Sequence, residues 1–153
     1  MTAAGSAARG ALAAARGLAP VGARRPLEAL AEVATFRGEL ADALAHYERA
    51  IREWQQAGAW TPLWVTLRTL VDLLVRADAR ADAAVLYGAV TSASSGAPPF
   101  GADADRLRQS AALLRQHLTG TEFRFHAGRG EQMDGGQVIQ FALQAIARAA
   151  ASA

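Results

Sequence analysis

Cysteine and lysine are both missing from the 153 residues, and each absence closes off chemistry. Without cysteine there is no disulfide framework, no thiol nucleophile and no thiolate zinc site. Without lysine there is no Schiff-base catalyst and no P-loop, whose lysine holds nucleotide phosphates. All 16 cationic side chains are arginine. The sequence has no uncharged apolar run of about 18 residues, so no segment reads as a membrane span. Aromatic residues are few, at 7%. What is abundant is alanine, roughly a quarter of the chain, the best helix former and a poor strand former. With 52% hydrophobic residues global disorder is excluded, and the length suits one domain with a sizeable core. No short segment alternates apolar and polar residues with β-branched enrichment, so no sheet is expected.

The charge is unevenly placed. A formal +2 and a pI near 9.9 invite a nucleic-acid reading. Residues 1–25, however, hold Arg9, Arg16, Arg24 and Arg25 and no acid, which is +4, whereas 26–153 hold 12 Arg against 14 Asp and Glu, which is −2. The folded part is slightly acidic, and no direct nucleic-acid partner is expected. The Ala/Gly/Arg-rich leader has the composition of an organelle transit peptide, but Arg9, Gly10, Arg16 and Gly17 interrupt any secretory apolar core. It reads first as a weak helix near 6–19 left over from a longer helical array, then as a disordered start, and last as a targeting peptide. The expected compartment is cytoplasmic.

After Pro26 the pattern turns helical. Leu27, Leu30, Ala31 and Ala34 share one face, and Gly38 is expected to close that helix. Glu39 to Ala57 reads as the next, with Leu40, Ala43, Leu44, Tyr47, Ile51 and Trp54 as its stripe, a Glu48–Arg52 pair in the favourable i,i+4 order, and Gly58 as a left-handed C-cap. Thr61 reads as an N-cap with Pro62 at the first helical position, and Trp60 with Val65 as a hydrophobic staple. The segment 61–77 is apolar over most of its circumference and is expected to be the central helix. An Ala-Asp-Ala-Arg turn leads to a helix over 82–94, where Gly88 costs about 1 kcal/mol against Ala and so implies close approach of a neighbour. Ser94 to Gly101 is Pro/Gly/Ser-rich, and 96–101 is expected to link the helix pairs of 26–95 to the C-terminal helices of 102–150. There Asp103 is expected to cap a helix that Gly120 ends. Thr121 to Ala127 reads as a short helical turn carrying Phe123 and Phe125, Gly128 to Gly130 as a loop, and Asp134 with Gln137 as the capping box of the last helix.

Ala43, Tyr47 and Ala50 recur as Ala83, Tyr87 and Val90 about forty residues later. Small, aromatic, small at this spacing is the second-helix pattern of a tetratricopeptide repeat (TPR), because small residues admit the partner helix and the ring fills the gap between pairs. The expected fold is therefore all-α, a TPR-like antiparallel helix-pair array (an α-solenoid) with a C-terminal helical cap. The run Tyr47-Glu48-Arg49-Ala50-Ile51, Trp54, Gly58-Ala59-Trp60-Thr61, Trp64, Thr66-Leu67-Arg68 and Ala83 to Ala89 resembles the C-terminal helical-repeat region of large actinobacterial ATP-binding transcriptional regulators of the LuxR type. Asp105 to Leu118, Phe123, Ala127-Gly128-Arg129, Met133 and Val138 to Leu143 are similar to the last helices of that region. The resemblance covers about 39–146. It implies a signal-receiving or autoinhibitory arm that binds a protein or peptide partner, among them the ATPase domain of a regulator. The chain carries no Walker A lysine, no Walker B acid run and no helix-turn-helix, so neither ATP hydrolysis nor DNA reading is carried over.

Candidate sites are sparse. Trp54, Trp60 and Trp64 lie within eleven residues, with Arg68 one turn beyond Trp64. They read either as helix-pair core or as an aromatic lip that holds an anionic or aromatic small molecule, a sensor pocket around Trp60, Trp64 and Arg68. His46, His117 and His126 have no metal-ligand spacing, and no serine stands in a nucleophile elbow. No catalytic residue, metal or cofactor is assigned, and the chain is not expected to be an enzyme. Gly128, Gly130, Gly135 and Gly136 follow no strand, so they do not read as a phosphate loop. Arg106, Arg108 and Arg115 share a helix with Asp103 and Asp105 and read as a solvated face. An array without an N-terminal cap exposes an apolar edge, through which a homodimer is expected to form.

Overall fold

A computed structural model describes residues 26–92 and 101–152, with side chains from Arg37 onward. The leader and most of the 94–101 linker lie outside the described residues, as do the side chains of the Leu27–Ala34 stripe. Six helices make up the described part: α1 (Pro26–Ala57), α2 (Trp60–Arg76), α3 (Arg80–Thr91), α4 (Ala102–His117), α5 (Gly120–Glu131) and α6 (Gly135–Ser152). The described residues contain no strand, so the protein is all-α there. The chain divides at Ala43, and Leu44–Ser152 is the compact unit described below.

Two successive helix ends are built alike. The Gly58 N–H donates to the Gln55 carbonyl at 3.2 Å and the Ala59 N–H to the Trp54 carbonyl at 3.0 Å. Twenty residues on, the Asp78 N–H donates to Val75 at 3.1 Å and the Ala79 N–H to Leu74 at 3.0 Å. Both are Schellman turns, which satisfy the orphan carbonyls of a helix end with a left-handed residue. Gly58 has φ +66° and Asp78 φ +58°. Ala59 and Ala79 then each accept the first bond of the next helix, from Leu63 at 3.2 Å and from Ala83 at 2.8 Å.

That turn moves the start of α2. The cap is Ala59, with no side-chain capping bond, so Thr61 does not cap the helix and Pro62 is third in it, where an N–H has no intrahelical acceptor anyway. Trp60 and Val65 are 55% and 38% exposed, not a buried staple. Thr66 and Thr69 bond back to their own helix, Thr66 to Pro62 O at 2.8 Å and Thr69 to Thr66 O at 2.9 Å, and Asp72 pairs with Arg76 at 3.1 Å. These residues belong to the polar remainder of a segment that is apolar over most of its circumference.

Other boundaries differ for similar reasons. Gly38 does not end a helix, since α1 runs through it, and one glycine with no stop signal after it costs only about 1 kcal/mol. Asp103 does not cap α4, whose cap is Gly101; it pairs instead with Arg106 at 3.0 Å. Gly120 opens α5, where Thr119 caps the helix and exchanges bonds with Glu122. The segment read as a loop, Gly128 to Gly130, is helical.

α2 packs against α3, α4 and α6, with Leu63, Leu67, Leu70, Val71 and Leu74 fully buried. α3 packs against α2, α4, α5 and α6, and it buries Ala83 through Leu86 and Gly88 through Val90. It is at least as central as α2, a position its small residues do not advertise. The closest crossing is α3 on α5. A Cβ built on Gly88 would fall on the carbonyl oxygen of Ala127 and 2.6 Å from its carbon, and one on Gly130 would fall on the Val85 oxygen and 2.7 Å from the Ala89 nitrogen. The two glycines let backbone meet backbone, which is the close approach that Gly88 implies. Tyr87 and Phe123, 5.8 Å apart, fill the crossing beside them. Arg148 of α6 reaches Asp82 of α3 at 3.0 Å.

Candidate functional site

The Schellman turn after α1 fixes the tryptophans. Trp54 lends its carbonyl to the turn and Trp60 is the first residue of α2, so the two stand at either end of one rigid connection. Trp54 is 38% exposed, and with Trp60 and Val65 it is among the large apolar side chains that face water. Trp64 is half-buried, and Arg68 is only 8% exposed beside the fully buried Leu67. The four residues thus split: Trp54 and Trp60 belong to the surface, Arg68 to the interior.

A second feature lies on α5 and α6. An open groove of about 430 Å³ is lined by Arg129, Gln132 and Met133 and by Gln137, Gln140, Phe141 and Gln144. The glutamines of α6 stand at i, i+3 and i+7, one face of a helix. Gln137 is held by the capping box: its Oε1 accepts from the Asp134 N–H at 2.9 Å while its own backbone N–H donates to Asp134 Oδ1 at 2.8 Å. A backbone donor at Oε1 assigns the amide orientation, which leaves the NH₂ as the outward group. Sequence reasoning reached Gln137 only as a cap and missed the stripe. Its signal is three glutamines on one face of a segment, Gly135–Ala147, that carries no charge.

A smaller hollow of about 290 Å³ brings Arg76, Arg80 and His117 around Leu113 and Leu114. It needs no ligand to explain its cations. Arg76 and His117 lie in the last turns of α2 and α4, where the helix dipole favours positive charge, and Arg80 pairs with Asp78 at 3.3 Å.

The remaining titratable groups form no reactive cluster. Among the described residues no three His, Asp or Glu side chains gather as a metal ion would require. His46 is exposed. His126 sits edge-on to Phe125 at 5.4 Å with its Nδ1 enclosed and without a hydrogen-bond partner. The Glu122 carboxyl is held below its ordinary pKa, first by the Thr119 backbone N–H donating to it at 3.1 Å, then by the Thr119 hydroxyl and the nearby His126. On α4, Arg106 and Arg108 pair with Asp103 and Asp105, and Arg115 lies 4.8 Å over the Phe123 ring. Among the described residues no helix is long and apolar enough to cross a membrane.

No family model, no curated protein and no solved structure matches this chain.

Proposed function

We propose that the chain is a non-enzymatic, cytoplasmic helical-repeat module that binds a protein or peptide partner, the role its resemblance to the regulatory arm of LuxR-type ATP-binding regulators implies. The observation that carries this reading is the pair Trp54 and Trp60, 38% and 55% exposed on one rigid turn. Exposed aromatics held without loose backbone are the groups from which protein interfaces draw most of their energy, because little entropy is lost when they are covered. The TPR-like reading draws on the turns. The same Schellman geometry recurs once, after twenty residues, which is half the forty-residue offset between Ala43…Tyr47 and Ala83…Tyr87.

The test is binding of the purified chain to the ATPase domain of a LuxR-type regulator, the partner that the resemblance implies. Wild type should bind and the Trp54→Ala/Trp60→Ala variant should bind at least about tenfold more weakly. Equal binding by both would remove the tryptophans from the interface. Saturable quenching of tryptophan fluorescence by a small anion, with no protein bound, would favour the sensor pocket around Trp60, Trp64 and Arg68 instead.

A further inference from the structure

The α5–α6 groove shares no residue with the tryptophan turn, and its chemistry is different. Four of its seven lining residues are exposed glutamines, beside the apolar Met133 and Phe141 and with Arg129 as the charged member. Phe141 is itself buried, with Arg148 lying 5.5 Å over its ring, so the floor is fixed. A glutamine offers one carbonyl acceptor and two N–H donors, the same groups in the same plane as a peptide bond. Four glutamines in one groove therefore match a ligand that presents alternating N–H and C=O and little charge.

The spacing agrees. Gln140 and Gln144 are four residues apart, about 6 Å along the helix axis, close to the two-residue repeat of an extended chain at about 6.6 Å. From Gln137 to Gln144 is about 10 Å, room for about three extended residues. Gln137 is already immobilised by Asp134, so its NH₂ donor is aimed before any ligand arrives, and that part of the ordering cost is not incurred on binding.

We infer that this groove is a binding site for the main chain of an extended peptide segment, read by Gln132, Gln137, Gln140 and Gln144, with an acidic side chain of the peptide on Arg129. Recognition of this kind is tolerant of sequence and intolerant of lost main-chain N–H groups. The site stands apart from the tryptophan turn, and either can fail without the other.

The test uses the full ¹⁵N-labelled chain. The probe is a capped peptide about six residues long, alternating Thr and Val around one central Glu. Its titration should shift the side-chain NH₂ resonances of Gln140 and Gln144 saturably. The same peptide N-methylated on alternate main-chain nitrogens should bind at least about tenfold more weakly, a result that needs no protein variant to fold. Gln140→Leu/Gln144→Leu should weaken binding to a similar degree with an unchanged far-UV spectrum, and Trp60→Ala should leave it unaltered. Three results would overturn the inference: no shifts at millimolar peptide, equal affinity for the N-methylated probe, or shifts produced by adenosine and not by peptide, which would make the groove a nucleobase site.

Discussion

Helices α2 and α3 are both deeply buried, yet by opposite means. α2 fills space with large side chains: Leu63, Leu67, Leu70, Val71 and Leu74 are fully enclosed. α3 removes space: Ala83, Ala84, Gly88 and Ala89 are small, and at Gly88 its backbone lies on that of α5. Side chains that interdigitate can shift rotamers when one is changed. Two backbones in contact have no such freedom, because each is already committed to its own helical hydrogen bonds. Atom for atom, the leucine-packed face should therefore be the more tolerant and the glycine crossing the more brittle.

The largest predicted effect follows from that contrast. Gly88→Ala adds one methyl group, which ordinarily stabilises a helix by about 1 kcal/mol. Here the methyl would land on the Ala127 carbonyl, so the expected outcome is a loss of about 3 kcal/mol or more, at or beyond the upper end of overpacking costs. Gly130→Ala should behave alike, against Val85. Leu67→Ala removes far more, and it should cost about 3 kcal/mol by transfer and cavity terms. Denaturant unfolding of the three variants checks this. If Gly88→Ala were as mild as a surface change, the crossing would be a looser contact than described.

The same contrast explains what the sequence could and could not convey. The leucines of α2 recur at helical spacing, so its length, its buried face and its polar strip of Thr66, Thr69, Asp72 and Arg76 are all legible. Gly88 is legible as a cost in need of a reason. Its counterpart Gly130 is not, because glycines at 128 and 130 carry the local signature of a loop, and only a partner helix reverses that reading. Ala59 as the cap of α2 is hidden in the same way, since Thr61-Pro62 is the stronger local signal and the Schellman bonds from Ala59 to Trp54 override it. For the site, the tryptophans announce themselves by rarity. The glutamine stripe does not, because neutral polar residues on a helix read as a solvated face until a neighbouring element makes a groove of them.

The two turns flanking α2 sharpen the comparison, because they have the same geometry with different residues. At Gly58 a Cβ would meet nothing within 4 Å, so Gly58→Ala tests backbone conformation alone and should cost about 1 kcal/mol. Asp78 adopts the same left-handed conformation with a side chain, and its carboxylate lies at a helix C-terminus, where negative charge is disfavoured. Asp78→Gly should stabilise the fold by about 0.5 kcal/mol, after the added freedom of glycine in the unfolded chain. The exposed ion pair with Arg80 is too weak to reverse the sign. Opposite signs for the two substitutions in thermal unfolding would show that the turns are equivalent. Equal signs would show that they are not.

Ser110 on α4 offers a smaller test of how forgiving the side-chain-packed region is. It is 1% exposed and its hydroxyl has no hydrogen-bond partner. An unmade bond of a buried hydroxyl is a cost, so Ser110→Ala should be neutral or stabilising by up to about 1 kcal/mol. A clear loss of stability would mean that the hydroxyl is satisfied by a group such as a bound water.

The smallest effect concerns the far end of α5, which carries Gly130 to α3. Its cap joins Thr119 and Glu122, and the bonds to the carboxylate hold the Glu122 pKa below its ordinary value in the folded chain. A carboxyl lowered on folding adds stability above its unfolded pKa, and that increment is lost as pH falls through the folded value. Unfolding at a series of acid pH values should therefore show a wild-type decline that Glu122→Gln lacks, since glutamine keeps the capping box without titrating. Glu122 is at the surface, so the difference should be small and confined to the acid side of the ordinary carboxyl range. Gly130→Ala should leave that difference intact, because the crossing and the cap sit at opposite ends of α5. If Gly130→Ala abolished it, cap and crossing would be one cooperative element, and the brittleness assigned to backbone contact at Gly88 would extend along the whole helix.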